Sequence, residues 1–383
     1  MNLNIYREVK VWKKPLHASR TQIAKSYLKT LTQNVIYSVL SQKFNVNVGK
    51  ENLDPTYRIP QTILSTKPWH QKLVLEYGVE HPGDMDHYLK IAIPKIAVVT
   101  TIAPTHTKYF KNVDGVFAEK SKLVASLDKS GYAVLNSDDF YCHQMAKVTK
   151  ARIFWYGKKA KSGVKISHFS QDLGGSQFRL HYDGQKTTVR WKIVGRHQLV
   201  SAYAAATVGL IFGLTLKQIA KGLSASKPPE HRLNPISTKN INILDDTYNS
   251  SPKAATEAIA TLVELGKNRP KIAVFGEMKD LGLYSQEAHE LLGQKISKTR
   301  INWLITVGKL AKTIGDATKK TGFAGKIINV KNTSEAIDQL KEITTGKSLI
   351  LIKGSRHAHL ERIVYGLLNK SVAINCYHCG QLK

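Results

Sequence analysis

Five times after Ile241 the sequence passes from a short apolar run into a stretch with helical periodicity. The apolar runs are Ile241–Leu244, Ile272–Phe275, Trp303–Val307, Ile327–Val330 and Leu349–Ile352. Strand–helix alternation of this kind implies a doubly wound, mostly parallel sheet. One helix shows its punctuation in full. Ser251 suits the N-cap and Pro252 the first turn, Ala255, Ile259, Leu262 and Val263 form the buried stripe, and Gly266 ends it.

Two polar blocks directly follow two of these runs. Asp245-Asp246-Thr247-Tyr248-Asn249-Ser250-Ser251-Pro252 follows the first, and Gly276-Glu277-Met278-Lys279-Asp280-Leu281-Gly282 the second. Polar residues at the carboxyl ends of neighbouring parallel strands face the crevice where such sheets bind ligands, so the two blocks describe one site.

The first half of the chain predicts a second α/β domain. Leu73-Val74-Leu75, Ile96–Val99 and Ala133-Val134-Leu135 suit buried parallel strands, with a helix over Val116–Leu127 between them. Phe178, Leu180 and Tyr182 alternate into Asp183-Gly184, and Val189, Trp191 and Ile193 alternate out of it, a hairpin expected to cap one edge of the sheet. A helix over His197–Phe212 and a shorter one lead to Lys227-Pro228-Pro229. The expected organisation is therefore two Rossmann-like domains, 1–226 and 235–370, joined near 226–235, with a tail at 371–383.

At 383 residues and 42% apolar content the chain can bury two or three cores. Its net charge of +29 attracts polyanions, but the lysines are spread along the whole length and no zinc-finger, RNA-binding or basic-helix pattern accompanies them. A nucleotide or another anionic small molecule is the expected partner, not nucleic acid. The longest apolar run, from Tyr203 to Leu214, is shorter than the ~20 residues of a membrane span, and the first thirty residues lack a signal-peptide core, so a cytoplasmic protein is expected. Cys376 and Cys379 have half the spacing of a zinc knuckle, and a reduced tail is the expected state.

Candidate chemistry gathers in 76–120. Glu76 ends an apolar run, which suits a Mg²⁺ ligand or a water-ordering base as well as it suits a solvated loop. His81 follows in His81-Pro82-Gly83-Asp84, His106 follows the next run, and Lys120 sits on the helix beyond. Together they are a stronger constellation than any member alone. By position alone Lys120 reads as a solvated helix lysine.

These segments resemble the central and C-terminal domains of the Mur ligases, nearest the branch that adds a D-Ala-D-Ala-like dipeptide. The resemblance covers roughly residues 9–370 and is strong from Glu76 onward. It implies an ATP- and Mg²⁺-dependent ligase of cell-wall precursor synthesis that activates a muramoyl-peptide carboxylate as an acyl-phosphate and passes it to an amine. Other cell-wall enzymes are implied as partners. Leu75 to Asp84 looks like the motif whose glutamate binds Mg²⁺, which implies Glu76. Pro104-Thr105-His106 implies a metal-binding His106. Ala118 to Leu123 implies a carbamylated Lys120 on a second Mg²⁺. Gly195-Arg196-His197-Gln198 implies nucleotide contacts from His197 and Gln198, and Arg232 is implied at phosphate. Asp246 is implied near ribose and Tyr248 near adenine, with Asn249 and Pro252 completing that motif. Lys353, Ser355 and Arg356, together with His81, are implied at an anionic substrate or an ATP phosphate.

The sequence departs from the family in three places. A phosphate loop reads G-x-x-x-x-G-K-[ST], whereas the stretch Trp12 to Gln22 has neither glycine. There Ser19-Arg20 stand for Gly-Lys, Thr21 keeps the metal-binding hydroxyl, and Lys13 and Lys14 keep charge. The run Gly49 to Pro60 looks like an eroded Asn-x-Asn-x-x-x-Gly-x-Pro segment, and the family's N-terminal uridine-nucleotide domain is not in this sequence. A catalytically lapsed homologue acting as a nucleotide- or precursor-binding scaffold is the alternative.

Overall fold

The computed structural model describes residues 19–24, 29–49, 55–371, 374–376 and 380–382, with side chains over 30–49 and 56–371. The chain forms two compact units. One comprises 1–170, 176–192 and 197–227, and the other 171–175, 193–196 and 228–383.

The first unit is built on a six-stranded sheet. Its strands are β1 (Ser19–Ala24), β2 (Val46–Val48), β3 (Lys72–Tyr77), β4 (Ile96–Val99), β5 (Tyr132–Asn136) and β6 (Arg152–Tyr156), in the order β2-β3-β1-β4-β5-β6. All neighbours run parallel. The chain starts in the middle at β1, winds out to β2 and back to β3, then crosses β1 and proceeds outward through β4, β5 and β6. The winding direction therefore reverses at β1, and the carboxyl ends of β3, β1 and β4 flank the switch point where doubly wound sheets bind ligands. Beneath them lies a core that includes Leu73, Leu75, Tyr77, Ala97, Val99, Ala133 and Leu135.

Two sequence expectations change here. Ser19 to Ala24, of which Ser19 to Gln22 were expected in the phosphate loop, is the central strand, paired with Lys72–Tyr77 on one side and Ile96–Val98 on the other. Ser-Arg-Thr-Gln-Ile-Ala carries no apolar run, so only its neighbours reveal it as a strand. The hairpin of β8 (Gly175–Tyr182) and β9 (Gln185–Trp191) joins β7 (Lys165–Asp172) in a separate three-stranded sheet, and the six-stranded sheet keeps β2 and β6 as its edges.

The second unit has the order β10-β11-β15-β12-β13-β14, with β10 (Asn234–Ser237), β11 (Asn242–Asp246), β12 (Lys271–Phe275), β13 (Trp303–Val307), β14 (Lys326–Val330) and β15 (Leu349–Lys353). Only β10 runs antiparallel to its neighbour. Strand alternation divides the core between the two faces. Leu244, Ala273, Phe275, Leu304, Leu349 and Leu351 belong to one cluster. Ile243, Ile272, Val274, Ile305, Ile350 and Ile352 belong to the other. The sheet's last strand, β15, inserts between β11 and β12, its first two parallel strands, which sets the switch point at those three carboxyl ends. Strands Ile374–Cys376 and Gly380–Leu382 pair near the C-terminus, and the side chains of Cys376 and Cys379 lie outside the described residues. Among the described residues no helix is long and apolar enough to cross a membrane.

Candidate active site

At the first unit's switch point, Glu76 occupies the penultimate position of β3 and is 5% exposed. Its carboxylate forms an ion pair with Arg58 of the Pro55–Leu64 helix, Nη2 to Oε2 3.2 Å. The loop beyond β3 is held by two carboxylates. Asp84 Oδ2 accepts the N–H groups of Glu80 and His81, each at 2.8 Å. Glu119 Oε1 accepts those of Gly83 (3.0 Å) and Met85 (2.8 Å), so a helix residue pins the start of the Asp84–Ile91 helix. Lys122 balances this acidity through Glu119 (2.8 Å) and Asp86 (2.6 Å). Burial alone would lower the Lys122 pKa, but these hydrogen bonds and charges hold it above the ordinary lysine value. Lys120, beside Glu119 on the Val113–Ala125 helix, is 2% exposed, which removes the solvated-lysine reading. His106 takes the left-handed conformation (φ 55°) at the start of the Thr107–Phe110 turn, and the His81 ring lies 4.2 Å from that of Tyr109. Both His81 and His106 thus sit in loops at the carboxyl ends of β3 and β4.

Arg20 and Thr21 do not form a phosphate loop, because they pair as strand residues with Leu73 and with Val74 and Ile96. A phosphate-binding loop follows its strand and precedes a helix. In this sheet that position falls at 25–28, outside the described residues as are Lys13 and Lys14, and the helix then opens with Lys29-Thr30. Lys-Thr has the K-[ST] form of the motif and lies nine residues beyond Arg20-Thr21, where the loop was expected. The signal was present in the helix. Leu31, Val35, Ile36, Val39 and Leu40 are its buried stripe, and they fix the helix start just before Leu31.

His197 and Gln198 lie on a single 3₁₀ turn preceding the Leu199–Ile211 helix. Gln198 is buried and its Oε1 has no hydrogen-bond partner among the described residues. A buried amide oxygen left without a donor fits a site completed by a ligand.

In the second unit Asp246 ends β11 and forms a 2.7 Å ion pair with Lys353 at the end of the adjacent β15. Burial raises the Asp246 pKa, and Lys353 and Arg232 offset part of that rise. Lys353 also donates to the carbonyl of Asn249 (2.8 Å). It is a buried partner of the Asp246 loop, not a solvent-facing grip for an anion. The Arg232 guanidinium stacks 3.9 Å from the Tyr248 ring centre, and Arg356 lies 5.8 Å from it. Arg356 in turn pairs with Glu361 (3.0 Å). Ser355 is buried with an unpartnered Oγ among the described residues, and Pro252 opens the helix capped by Ser251.

His231, which stands before Arg232 where the family's pattern has glycine, organises this cluster. Its Nδ1 meets Asp245 Oδ2 at 2.7 Å and its Nε2 meets the Tyr365 hydroxyl at 3.2 Å. Its carbonyl accepts the Tyr248 N–H (3.0 Å), which ties the Arg232 segment to the Tyr248 segment. Asp245 Oδ1 accepts from the Thr247 hydroxyl (2.7 Å). His231 holds a positive φ of 57°, a conformation natural to the glycine expected before Arg232.

Both clusters sit at carboxyl ends around a switch point, where doubly wound sheets bind ligands. The chain matches the Mur ligase middle domain over residues 21–209 and the Mur ligase, glutamate ligase domain over 231–356. It is 30% identical over 346 residues to a UDP-N-acetylmuramoyl-tripeptide–D-alanyl-D-alanine ligase from Buchnera aphidicola, covering 89% of this chain and 74% of that one. The chain belongs to the Mur ligase family. The same-named enzyme of Bacillus subtilis is 27% identical over 368 residues, covering 92% of this chain and 79% of that one. The crystal structure of MurF from Acinetobacter baumannii superposes with a TM-score of 0.84 at 26% identity, covering 96% of this chain and 79% of that one. MurF ligase from Thermotoga maritima in complex with ADP shares the fold, with a TM-score of 0.85 at 24% identity over 97% and 84% of the two chains. Members of this family are ATP-dependent acid–amino-acid ligases.

The metal that the resemblance implies meets an obstacle at Glu76. Mg²⁺ at a nucleotide site needs only one or two protein carboxylates beside phosphate oxygens, so the lack of a cluster of three His, Cys, Asp or Glu side chains among the described residues is compatible with it. The guanidinium on Glu76 is not, because a second cation at that carboxylate faces a like charge already in place. At Glu76 the residues present do not fit a divalent ion.

Proposed function

We propose that this chain is an ATP-dependent ligase of cell-wall precursor synthesis, joining a muramoyl-peptide carboxylate to the amine of a D-Ala-D-Ala-like dipeptide. The observation that carries this reading is the 30% identity to the Buchnera ligase across 89% of the chain, which spans both switch-point clusters. Each relative named above carries a ligase's name, and none supports a lapsed scaffold.

In this reading the substrate carboxylate oxygen attacks the γ-phosphorus, ADP leaves, and the amine attacks the acyl carbon of the acyl-phosphate. Inorganic phosphate departs, the amine gives up a proton, and an amide remains. The protein's task is to bring anions together, which positioned positive charge does. Thr30, in the first turn of a helix that follows the central strand, takes the phosphates where a helix N-terminus favours negative charge. Arg232 and Tyr248 form a flat cationic–aromatic platform for the nucleotide, and Asp246 meets the ribose. Lys120 is the site of carbamylation. His81, Ser355 and Arg356 serve the anionic substrate, and the reaction takes place in the cytoplasm.

Phosphate release measured with ATP, precursor and dipeptide tests the reading. Release should require both substrates, and Lys120→Ala should remove it with partial rescue by short carboxylic acids. Release that ignores the dipeptide, or a fully active Lys120→Ala chain, refutes the assignment.

A further inference from the structure

Counting back from Pro60 in the eroded Asn-x-Asn-x-x-x-Gly-x-Pro segment, Arg58 stands where the pattern has glycine. The replacement is accommodated in the core. Arg58 is 5% exposed, and its Cγ and Cδ pack so closely on Gly49 that a Cβ there would lie 3.0 Å from each. The guanidinium reaches Glu76, equally buried, at the carboxyl end of the strand flanking the switch point. Two buried charges are tolerated where they are paired, and here a guanidinium is paired with a carboxylate. Arg58 Nε is also buried and has no hydrogen-bond partner among the described residues. A buried N–H without an acceptor is costly unless a ligand supplies one. A pair that served packing alone has no reason to leave that donor open.

We propose that Arg58 is a built-in counter-cation at Glu76. Its guanidinium takes the place of a divalent ion at this carboxylate and keeps Nε–H for a phosphate oxygen of the bound nucleotide. The inference rests on the nucleotide reading only for that oxygen. The charge on Glu76 is neutralised from within the chain, so no ion has to be recruited there. Arginine suits the task because several donors on one planar group can hold a carboxylate on one edge and another anion elsewhere.

Mn²⁺ titrated into the nucleotide-free full chain and followed by electron paramagnetic resonance tests the first part without any ligase assay. The natural chain should take up no specific ion through Glu76, so that it and Glu76→Gln behave alike. Arg58→Gly should gain one site, and Arg58→Gly with Glu76→Gln should lose it again. Uptake by the natural chain that Glu76→Gln abolishes overturns the proposal, and so does a folded Arg58→Gly chain with no new site. Should Arg58→Gly fail to fold, the comparison of the natural chain with Glu76→Gln still decides. Calorimetry with ATP tests the second part. Arg58→Lys keeps the charge but loses Nε, so it should continue to exclude Mn²⁺ and bind ATP several-fold more weakly. Unchanged ATP affinity overturns the role of Nε. If neither chain binds ATP while the Mn²⁺ results hold, the nucleotide reading fails and the counter-cation stands.

Discussion

His231 joins two effects that a sequence shows separately, a left-handed backbone and a charged hydrogen bond. Burial alone would lower its pKa, but the bond to Asp245, with Glu361 and Glu230 adding negative charge, holds it above the ordinary histidine value. A histidine held high contributes its full stability at pH below the unfolded value, and the contribution disappears as pH rises through the raised one. Urea unfolding of His231→Asn, which tolerates positive φ, should therefore show a deficit of ~1 kcal/mol near pH ~5.5 that shrinks toward pH ~8.5. A deficit independent of pH would leave the pair without its ionic part. Lys353 gives a second prediction at this scale. Removing one partner of a buried ion pair costs about 3 kcal/mol, so Lys353→Ala should lower the urea midpoint strongly, whereas replacing Lys353 and Asp246 together by apolar residues should cost much less. The identities of Asp246, Tyr248 and Lys353 were legible as motif residues. That Lys353 faces Asp246 was not, because 107 positions separate them and only the insertion of β15 beside β11 makes them neighbours.

Among elements, the Leu216–Ala225 helix is specified at both levels. Thr215 and Gln218 form a reciprocal capping box, and Thr215→Ala should cost ~1 kcal/mol in chemical unfolding. On its buried face, a Cβ at Gly222 would lie 2.5 Å from the Cα of Val39 on the Lys29–Leu40 helix, a backbone atom that cannot move aside cheaply. Gly222→Ala should therefore destabilise by about 1–3 kcal/mol despite its better helix propensity, and a neutral or stabilising result would show that the two helices separate freely. The cap could be read from Thr-x-x-Gln before an apolar stripe. The close approach could not, since a glycine inside a helix pattern predicts only weakness. Strand β1 is the sharpest case. Alternation and apolarity located β3, β4 and β5, whereas Ser19 to Ala24 is a strand because both neighbours offer it backbone hydrogen bonds. With β1 misplaced, the Lys29-Thr30 pair was missed as well.

For the whole molecule, a net charge of +29 means that any bound polyphosphate is drawn by a long-range field as well as by local groups. ATP affinity should fall steeply between ~50 and ~300 mM salt, and far more steeply than adenosine affinity, because screening weakens charge and leaves ring stacking untouched. Equal salt dependence for ATP and adenosine would place the affinity in the platform of Arg232 and Tyr248 alone. The two α/β units, their mostly parallel sheets and the polar blocks at strand ends were determined by the sequence itself, because hydrophobic period and turn chemistry act over a few residues and are written locally. Strand order, the central place of β1, the separate sheet of the hairpin and the pairing of Arg58 with Glu76 were decided only by tertiary structure. Each of these joins residues far apart in sequence, and such partners are chosen by competition for buried hydrogen bonds and charge neutralisation across the folded chain.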